Sequence, residues 1–158
     1  MSTFESFCHE LIALINDWET NLLELDQFVI TDRRNTQNRN IKQIVGHMID
    51  SASNNNHRIV HLQYQESPFS FPNYASYGNN DRWIAIQNYE NEDWNNLVHL
   101  WKYANLHIAH VVQNVDQSKL KNEWIADKNK NISLEEMIID YFRHFKLHLG
   151  EIEELLKY

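Results

Sequence analysis

Two histidines one helical turn apart, His144 and His148, are the residues whose spacing points most directly to chemistry. Residues four apart lie on the same face of a helix, so both imidazoles would point into one small volume, as in helical metal sites. The pair also stands where apolar residues are expected, in a stripe of three- and four-residue spacings from Met137 to Leu155. We therefore predict that both histidines face inward.

A histidine pair of this kind is weak evidence by itself. Nine histidines in 158 residues produce such pairs by chance, and the chain contains a second one, His57 and His61. The alternative interpretation is that each ring only hydrogen-bonds a neighbouring group. A metal site needs a third ligand from another part of the chain.

The composition excludes several classes of function. Fourteen Lys and Arg against 22 Asp and Glu give a formal net charge of −8, and no segment gathers enough basic residues to bind phosphates, so we expect no nucleic acid and no membrane as partners. No apolar run approaches the roughly 20 residues of a membrane span, and the N-terminus lacks signal-peptide features. The single cysteine, Cys8, lies on an apolar stripe, which predicts an inert core thiol in a cytoplasmic protein.

Four helices must position these residues. Apolar residues recur with helical spacing over 4–25, 41–62, 94–115 and 137–155. Capping-box pairs precede three of the helices: Ser2 with Glu5, Asn40 with Gln43, and Ser133 with Glu136. With only three glycines and two prolines in the chain, we predict a single all-α domain over residues 1–158, built as a four-helix bundle.

The second helix has a polar strip beside its apolar one. His47, Ser51, Asn54 and Arg58 recur at three- and four-residue spacings, which places His47 at the edge of the core. A lone histidine there is also typical of a ring that hydrogen-bonds within the core. In the third helix, Asn105 lies in the apolar stripe and is a candidate hydrogen-bonding residue in the core or at a pocket wall.

The connections differ in character. Residues 66–93 lack periodicity and carry six aromatic side chains, which either pack over the core or line a ligand pocket. A short helix is predicted within them at 82–88. Residues 32–40 are polar and predict a loop, and residues 116–131 predict a second loop, tethered by Trp124.

The residues around the candidate ligands resemble a known family. The segment Ile-Val-Gly-His47-Met-Ile-Asp is followed by Ser-Ala-Ser-Asn-Asn-Asn, and the last helix contains Asp-Tyr-Phe-Arg-His144-Phe-Lys-Leu-His148 ahead of Glu-Ile. Together with the order of helices and loops, these segments resemble the DinB / YfiT-like superfamily of metalloenzymes over nearly the whole chain.

The resemblance implies a bundle in up-down-down-up order in which His47, His144 and His148 bind one divalent metal ion, commonly nickel or zinc. It implies a small-molecule substrate and either a hydrolase or a thiol S-transferase that uses a low-molecular-weight thiol. A homodimer is expected from the same resemblance and from five tryptophans, which are more than a small core needs.

The residue types point to catalysis independently of the family. Three neutral imidazoles leave positions open on a metal ion, which then lowers the pKa of bound water toward about 7 or holds a thiol as thiolate. Asp50, Asp140 and Glu151 each lie about one turn from a candidate ligand. Each is a candidate to orient a ligand's second nitrogen or to move a proton, and each could equally be a solvated helix charge.

The competing hypothesis is a noncatalytic bundle of the same fold that serves as a ligand-binding or interaction module. A cleft beside the histidines, walled by residues 66–93, would favour the enzyme. A dry, filled core would favour the module.

Overall fold

Four long helices form the body of the protein in a computed structural model that describes residues 4–157. They are α1 (Glu5–Leu23), α3 (Ile41–Tyr64), α5 (Trp94–Gln113) and α6 (Leu134–Leu156), and the shorter α2 (Gln27–Asp32) and α4 (Asn79–Gln87) lie in the connections. The predicted all-α four-helix bundle is therefore confirmed. Within the described residues, no helix combines the length and the apolar character that a bilayer span requires.

The directions of three of the long helices follow from hydrogen bonds between their ends. Trp94 Nε1, at the start of α5, donates to the backbone carbonyl of Leu22, at the end of α1, at 2.8 Å, so these two helices are antiparallel. The Asp116 backbone N–H, just after α5, donates to the Gln63 side chain, near the end of α3, at 2.9 Å. The helices α3 and α5 consequently run in parallel.

The last helix returns against α3. Asn122 Nδ2 donates to the Leu62 carbonyl near the end of α3 at 2.6 Å, and the Asn122 carbonyl accepts from the backbone N–H of Leu134, the first residue of α6, at 2.8 Å, so the start of α6 lies beside the end of α3. The helices α1 and α6 therefore run one way and α3 and α5 the other. This is the up-down-down-up order that the family resemblance implies.

The apolar stripes fill the interior, which also contains the hydrogen-bonded polar pair Asn105 and Tyr141. Trp101 is fully buried and stacks on Phe145 of α6, with 5.9 Å between ring centroids. One turn away on each helix, the Tyr141 hydroxyl donates to Asn105 Oδ1, while Asn105 Nδ2 donates to the Trp101 carbonyl at 2.7 Å. Asn105 is thus a core residue whose side-chain amide has hydrogen-bond partners for both its oxygen and its nitrogen. Cys8 is also fully buried, as predicted, and burial raises the pKa of its thiol to about 11.

Side-chain caps define the starts of α3 and α6, as predicted. Asn40 Oδ1 accepts from the Gln43 backbone N–H at 2.9 Å, and Gln43 Oε1 accepts from the Asn40 backbone N–H at 3.0 Å. Ser133 and Glu136 form the same reciprocal pair at the start of α6. These caps fix where the first turns of both helices begin. The predicted cap at Ser2 lies outside the described residues.

The first helix is shorter than its apolar pattern predicts. It ends at Leu23, and the chain then forms α2, whose start is capped by the Asp26 side chain accepting from the Phe28 backbone N–H at 2.8 Å. Because α2 has only six residues, it is too short to show a helical period. The apolar residue Leu25, attributed to the first helix, lies between the two.

The prediction of a loop over residues 116–131 is wrong in its second half. The strands β2 (Glu123–Asp127) and β3 (Lys130–Ser133) form an antiparallel hairpin, and β1 (Phe69–Ser70) pairs with β2 in parallel. The hairpin turn has two residues and no glycine, and the pairing is irregular after Ile125, so the sequence lacks the usual turn and alternation signals. The predicted tether is confirmed, because Trp124 is buried and its Nε1 donates to the Phe71 carbonyl at 3.0 Å.

Gly46, directly before His47, allows a tyrosine ring to lie against α3. A Cβ atom at position 46 would fall 2.2 to 2.6 Å from three ring carbons of Tyr89. We expect Gly46→Ala to lower the free energy of unfolding by about 1–3 kcal/mol, because the buried ring must move away from the helix. Urea denaturation followed by circular dichroism measures this change.

Gly150 on α6 is the matched control, since within residues 4–157 nothing beyond the adjacent residues and the helix's own backbone lies within 4 Å of a Cβ atom at that position. Gly150→Ala should raise the free energy of unfolding by about 0.5–1 kcal/mol, because alanine favours the helix over glycine. An equal gain in stability from both substitutions would show that the ring does not restrict position 46.

Candidate metal centre

His47 from α3 meets His144 and His148 from α6 inside the bundle. One ring nitrogen from each histidine lies within 4.8 Å of the other two. The Nε2 atoms of His144 and His148 are 2.9 Å apart, and the His47 ring centroid lies 4.7 Å from that of His148 and 5.3 Å from that of His144. The four-residue spacing on α6 brings the pair together, and the antiparallel packing of α3 on α6 places His47 opposite it.

Burial keeps these rings in the form that binds metal ions. His47 and His148 are buried and His144 is half-buried. Loss of hydration, reinforced by repulsion from the neighbouring imidazoles, lowers the pKa of His47 to about 2 and that of His144 to about 4. Both rings are therefore neutral near pH 7, and each keeps a nitrogen lone pair for a metal ion.

Glu151 fixes the orientation of one ring. His148 Nδ1 donates a hydrogen bond to Glu151 Oε2 at 2.8 Å, one turn further along α6. With its proton on Nδ1, His148 presents the lone pair of Nε2 toward His144. A carboxylate behind a histidine is the arrangement that commonly orients zinc ligands and raises their basicity.

The donor set fits a divalent cation. His47 Nδ1 is buried and has no hydrogen-bond partner among the described residues, which is costly for a polar atom unless another ligand satisfies it. Three imidazoles without a thiolate or a coordinating carboxylate suit borderline cations such as zinc or nickel rather than magnesium or calcium. These residues could hold such an ion and leave positions open on it.

The other two candidate carboxylates occupy different places. Asp140 is exposed and accepts a hydrogen bond from Arg143 Nε at 2.7 Å. Asp50 is buried, and its Oδ1 accepts from the Tyr89 hydroxyl at 2.6 Å and from Gln87 Nε2 at 2.7 Å. Asp50 lines a second cavity, between α3, α4 and α5. Among the carboxylates of residues 4–157, Glu151 is the one hydrogen-bonded to a histidine of the cluster.

A cleft of about 520 Å³ lies beside the histidines, between α3, α6 and the strands. We call it the histidine cleft, and its wall includes Ser51, Arg58, Tyr74, Trp124, Tyr141 and His144. The Tyr74 ring centroid lies 6.1 Å from that of His47, so the connection at 66–93 reaches both the cleft and the cluster. The cleft gives a small molecule access to the side of His144.

The aromatic side chains of residues 66–93 take both predicted roles, because some line the cleft and others pack over the core. Tyr74 is buried and walls the histidine cleft, whereas Phe69 and Phe71 are half-buried and pack against His61 at 5.2 and 5.7 Å between centroids. The second histidine pair, His57 and His61, belongs to this aromatic group and lies outside the three-histidine cluster. The sequence shows only the density of aromatic residues here, and long-range packing decides which of them face the cleft.

Comparison with known proteins identifies the fold. No family model matches the chain, and no curated protein matches it in sequence. Among solved structures it is similar to YfiT from Bacillus subtilis, which is described as a probable metal-dependent hydrolase with an unusual four-helix bundle topology. The TM-score is 0.81 at 17% sequence identity, over 99% of this chain and 89% of YfiT. The predicted resemblance to YfiT-like proteins is thus confirmed at the level of fold.

Proposed function

We propose that this protein is a metal-dependent hydrolase of a small molecule, with His47, His144 and His148 holding one divalent cation. The observation that carries the proposal is the convergence of three inward imidazoles beside an open cleft. Similarity in fold to a protein described as a probable metal-dependent hydrolase supports it. The donor set is compatible with the nickel or zinc implied by the family resemblance.

The chain's own residues suit this chemistry. A bound cation with three histidine ligands supplies a Lewis acid with open positions and lowers the pKa of water toward neutrality. Glu151 holds His148 in the ligating tautomer through its hydrogen bond to Nδ1. Asp140 lies at the wall of the histidine cleft, one turn before His144, and is our candidate for the group that takes up a proton during the reaction.

The histidine cleft is relevant to the competing hypothesis of a noncatalytic module. A pure interaction module would need no open volume next to the histidines, whereas a hydrolase, like a ligand-binding module, needs room for a small molecule there, so the probe assays below separate these two. Catalysis by a thiol S-transferase, a homodimeric assembly and a cytoplasmic location stay predictions from the sequence and its family resemblance. Asp50 lines the second cavity and accepts a hydrogen bond from the Tyr89 hydroxyl, so we give it a structural role and no part in the reaction.

The proposal is tested with protein purified without a histidine tag, stripped by a chelator and reloaded with zinc or nickel. We expect hydrolysis of at least one of three activated probes, p-nitrophenyl acetate, p-nitrophenyl phosphate and an amino-acid p-nitroanilide, to rise about 100-fold or more on loading. His144→Ala should abolish the gain, and His57→Ala should keep it.

Tight metal binding without any gain in hydrolysis of the three probes would contradict the hydrolase and favour a binding module. A metal-independent rate that is the same in wild type and in His144→Ala would likewise contradict catalysis at this centre.

A further inference from the structure

Arg58 is a buried cation without an acidic partner among the described residues. Only 6% of its surface is exposed, and no carboxylate lies within ion-pair distance of it in the part of the chain between residues 4 and 157. Its Nε donates to the Asn54 carbonyl at 3.3 Å, one turn earlier on α3. Buried arginines are normally paired, because an uncompensated charge is costly to remove from water.

Two aromatic rings hold the guanidinium in place. Its central carbon lies 4.2 Å from the Trp124 ring centroid and 5.8 Å from that of Tyr74. The ring faces stabilise the cation but cannot accept the in-plane hydrogen bonds of its terminal N–H groups. Loss of hydration lowers the pKa of Arg58 to about 10, so the group is still charged at neutral pH. Its terminal donors are therefore available to a ligand in the histidine cleft, whose wall includes Arg58.

The acidic residues of this cleft are already engaged. Asp140 pairs with Arg143, and Glu136 Oε2 accepts from the backbone N–H and the hydroxyl of Ser133 at 2.9 and 2.8 Å. Lys130 adds a further positive charge to the wall. The cleft thus offers an unpaired guanidinium to an incoming anion, although the chain as a whole is acidic.

We propose that Arg58 binds the carboxylate or phosphate of an anionic small molecule whose reacting end reaches the three histidines. The claim that the molecule reacts at the three histidines rests on the proposed function. The claim that its anionic group binds in the cleft rests on Arg58 alone. A planar guanidinium suits both groups because it offers parallel N–H donors to two oxygen atoms.

The position of Arg58 on α3 sets the length of such a molecule. Its side chain reaches back one turn to Asn54, and Asn54 lies seven residues after His47. At 1.5 Å per residue, the guanidinium and the level of His47 are separated by about 10 Å along the helix axis. The anionic group and the reacting bond should be separated by a similar distance.

The anion site is tested in metal-free protein, so the result does not depend on metal binding. Succinate, inorganic phosphate and neutral succinamide are titrated while the indole N–H signal of Trp124, assigned with Trp124→Phe, is followed by nuclear magnetic resonance. We expect one of the anions to bind at least about tenfold more tightly than succinamide. The tighter anion identifies the group as carboxylate or phosphate.

Variants separate binding by Arg58 from general attraction. R58Q should weaken binding of the preferred anion about tenfold or more, and R58K, which keeps the charge but not the paired donors, about threefold or more. The matched control R82Q removes an exposed guanidinium that lies outside the cleft wall and should change affinity less than about twofold.

Thermal unfolding distinguishes this role from a structural one. R58Q should melt close to wild type, because the ring contacts that it loses are offset by removal of an uncompensated buried charge; if R58Q does not fold, R58K decides. Equal anion affinity in wild type and the Arg58 variants, or no binding of either anion to wild type, would overturn the proposal. Failure of wild type to bind zinc or nickel, with anion affinity that still depends on Arg58, would count against the proposed function alone.

Discussion

Replacing His47, His144 or His148 by alanine, one at a time, should weaken zinc binding by about 100-fold or more. Each substitution removes one of three neutral imidazoles whose nitrogens lie within 4.8 Å of one another. The two remaining ligands cannot compensate, since the cluster contains no thiolate and its neighbouring carboxylate, Glu151, is turned to His148 Nδ1. Calorimetric titration of zinc and nickel into chelator-stripped protein measures the affinities.

The chain provides its own controls for this experiment. His57 and His61 have the same four-residue spacing as the pair on α6, but they belong to the group of rings around Phe71. Their alanine variants should bind zinc with nearly wild-type affinity. Equal affinity in all five variants and wild type, or no binding to wild type, would rule out the three-histidine centre.

The helices of the bundle could be predicted because their signals are local. Apolar spacing and the capping pairs at Asn40 and Ser133 place the starts of α3 and α6 where the structure has them. The hairpin of β2 and β3 escaped prediction because it lacks local turn signals and because β2 also pairs with β1, more than 50 residues earlier in the chain. A six-residue helix such as α2 likewise carries too little sequence to show a period.

The candidate site, like the fold, could be predicted only where its signals are local. A spacing of four on α6 suffices to predict that His144 and His148 share one face, but it does not reveal what lies opposite them. The family resemblance supplied His47, and the structure places it there. The roles of the nearby acids depend on contacts that spacing cannot show: Asp50 is taken up by Tyr89, whose approach requires the glycine at position 46.

The position of Arg58 in the polar strip of α3 is visible in the sequence, but its role could not be inferred from the sequence. It lies in the predicted polar strip of α3 with His47 and Ser51, and the strip faces the interior. Whether a buried arginine is paired depends on distant segments, and here they supply the rings of Tyr74 and Trp124 instead of a carboxylate. The polar strip therefore connects the histidine cluster to the anion site along one helix face.

Glu151→Ala should weaken zinc binding by about 10- to 100-fold while leaving the bundle folded. The substitution removes the acceptor of the 2.8 Å hydrogen bond from His148 Nδ1. The ring then loses the partner that fixes its tautomer and orientation, so the Nε2 lone pair is presented to the ion only part of the time. Glu151→Gln keeps an acceptor oxygen but not its charge, and should fall between wild type and Glu151→Ala. Competition with a chromophoric chelator measures all three affinities.

Asp140→Asn is the control that distinguishes orientation of a ligand from the general effect of negative charge. Asp140 lies one turn from His144 but is exposed and paired with Arg143, so its loss should change zinc affinity by less than about threefold. An equal loss in Asp140→Asn and Glu151→Ala would mean that the acidic residues act only by attracting the cation. A loss confined to Glu151, with partial retention in Glu151→Gln, requires that the hydrogen bond to His148 holds the ring in its ligating position.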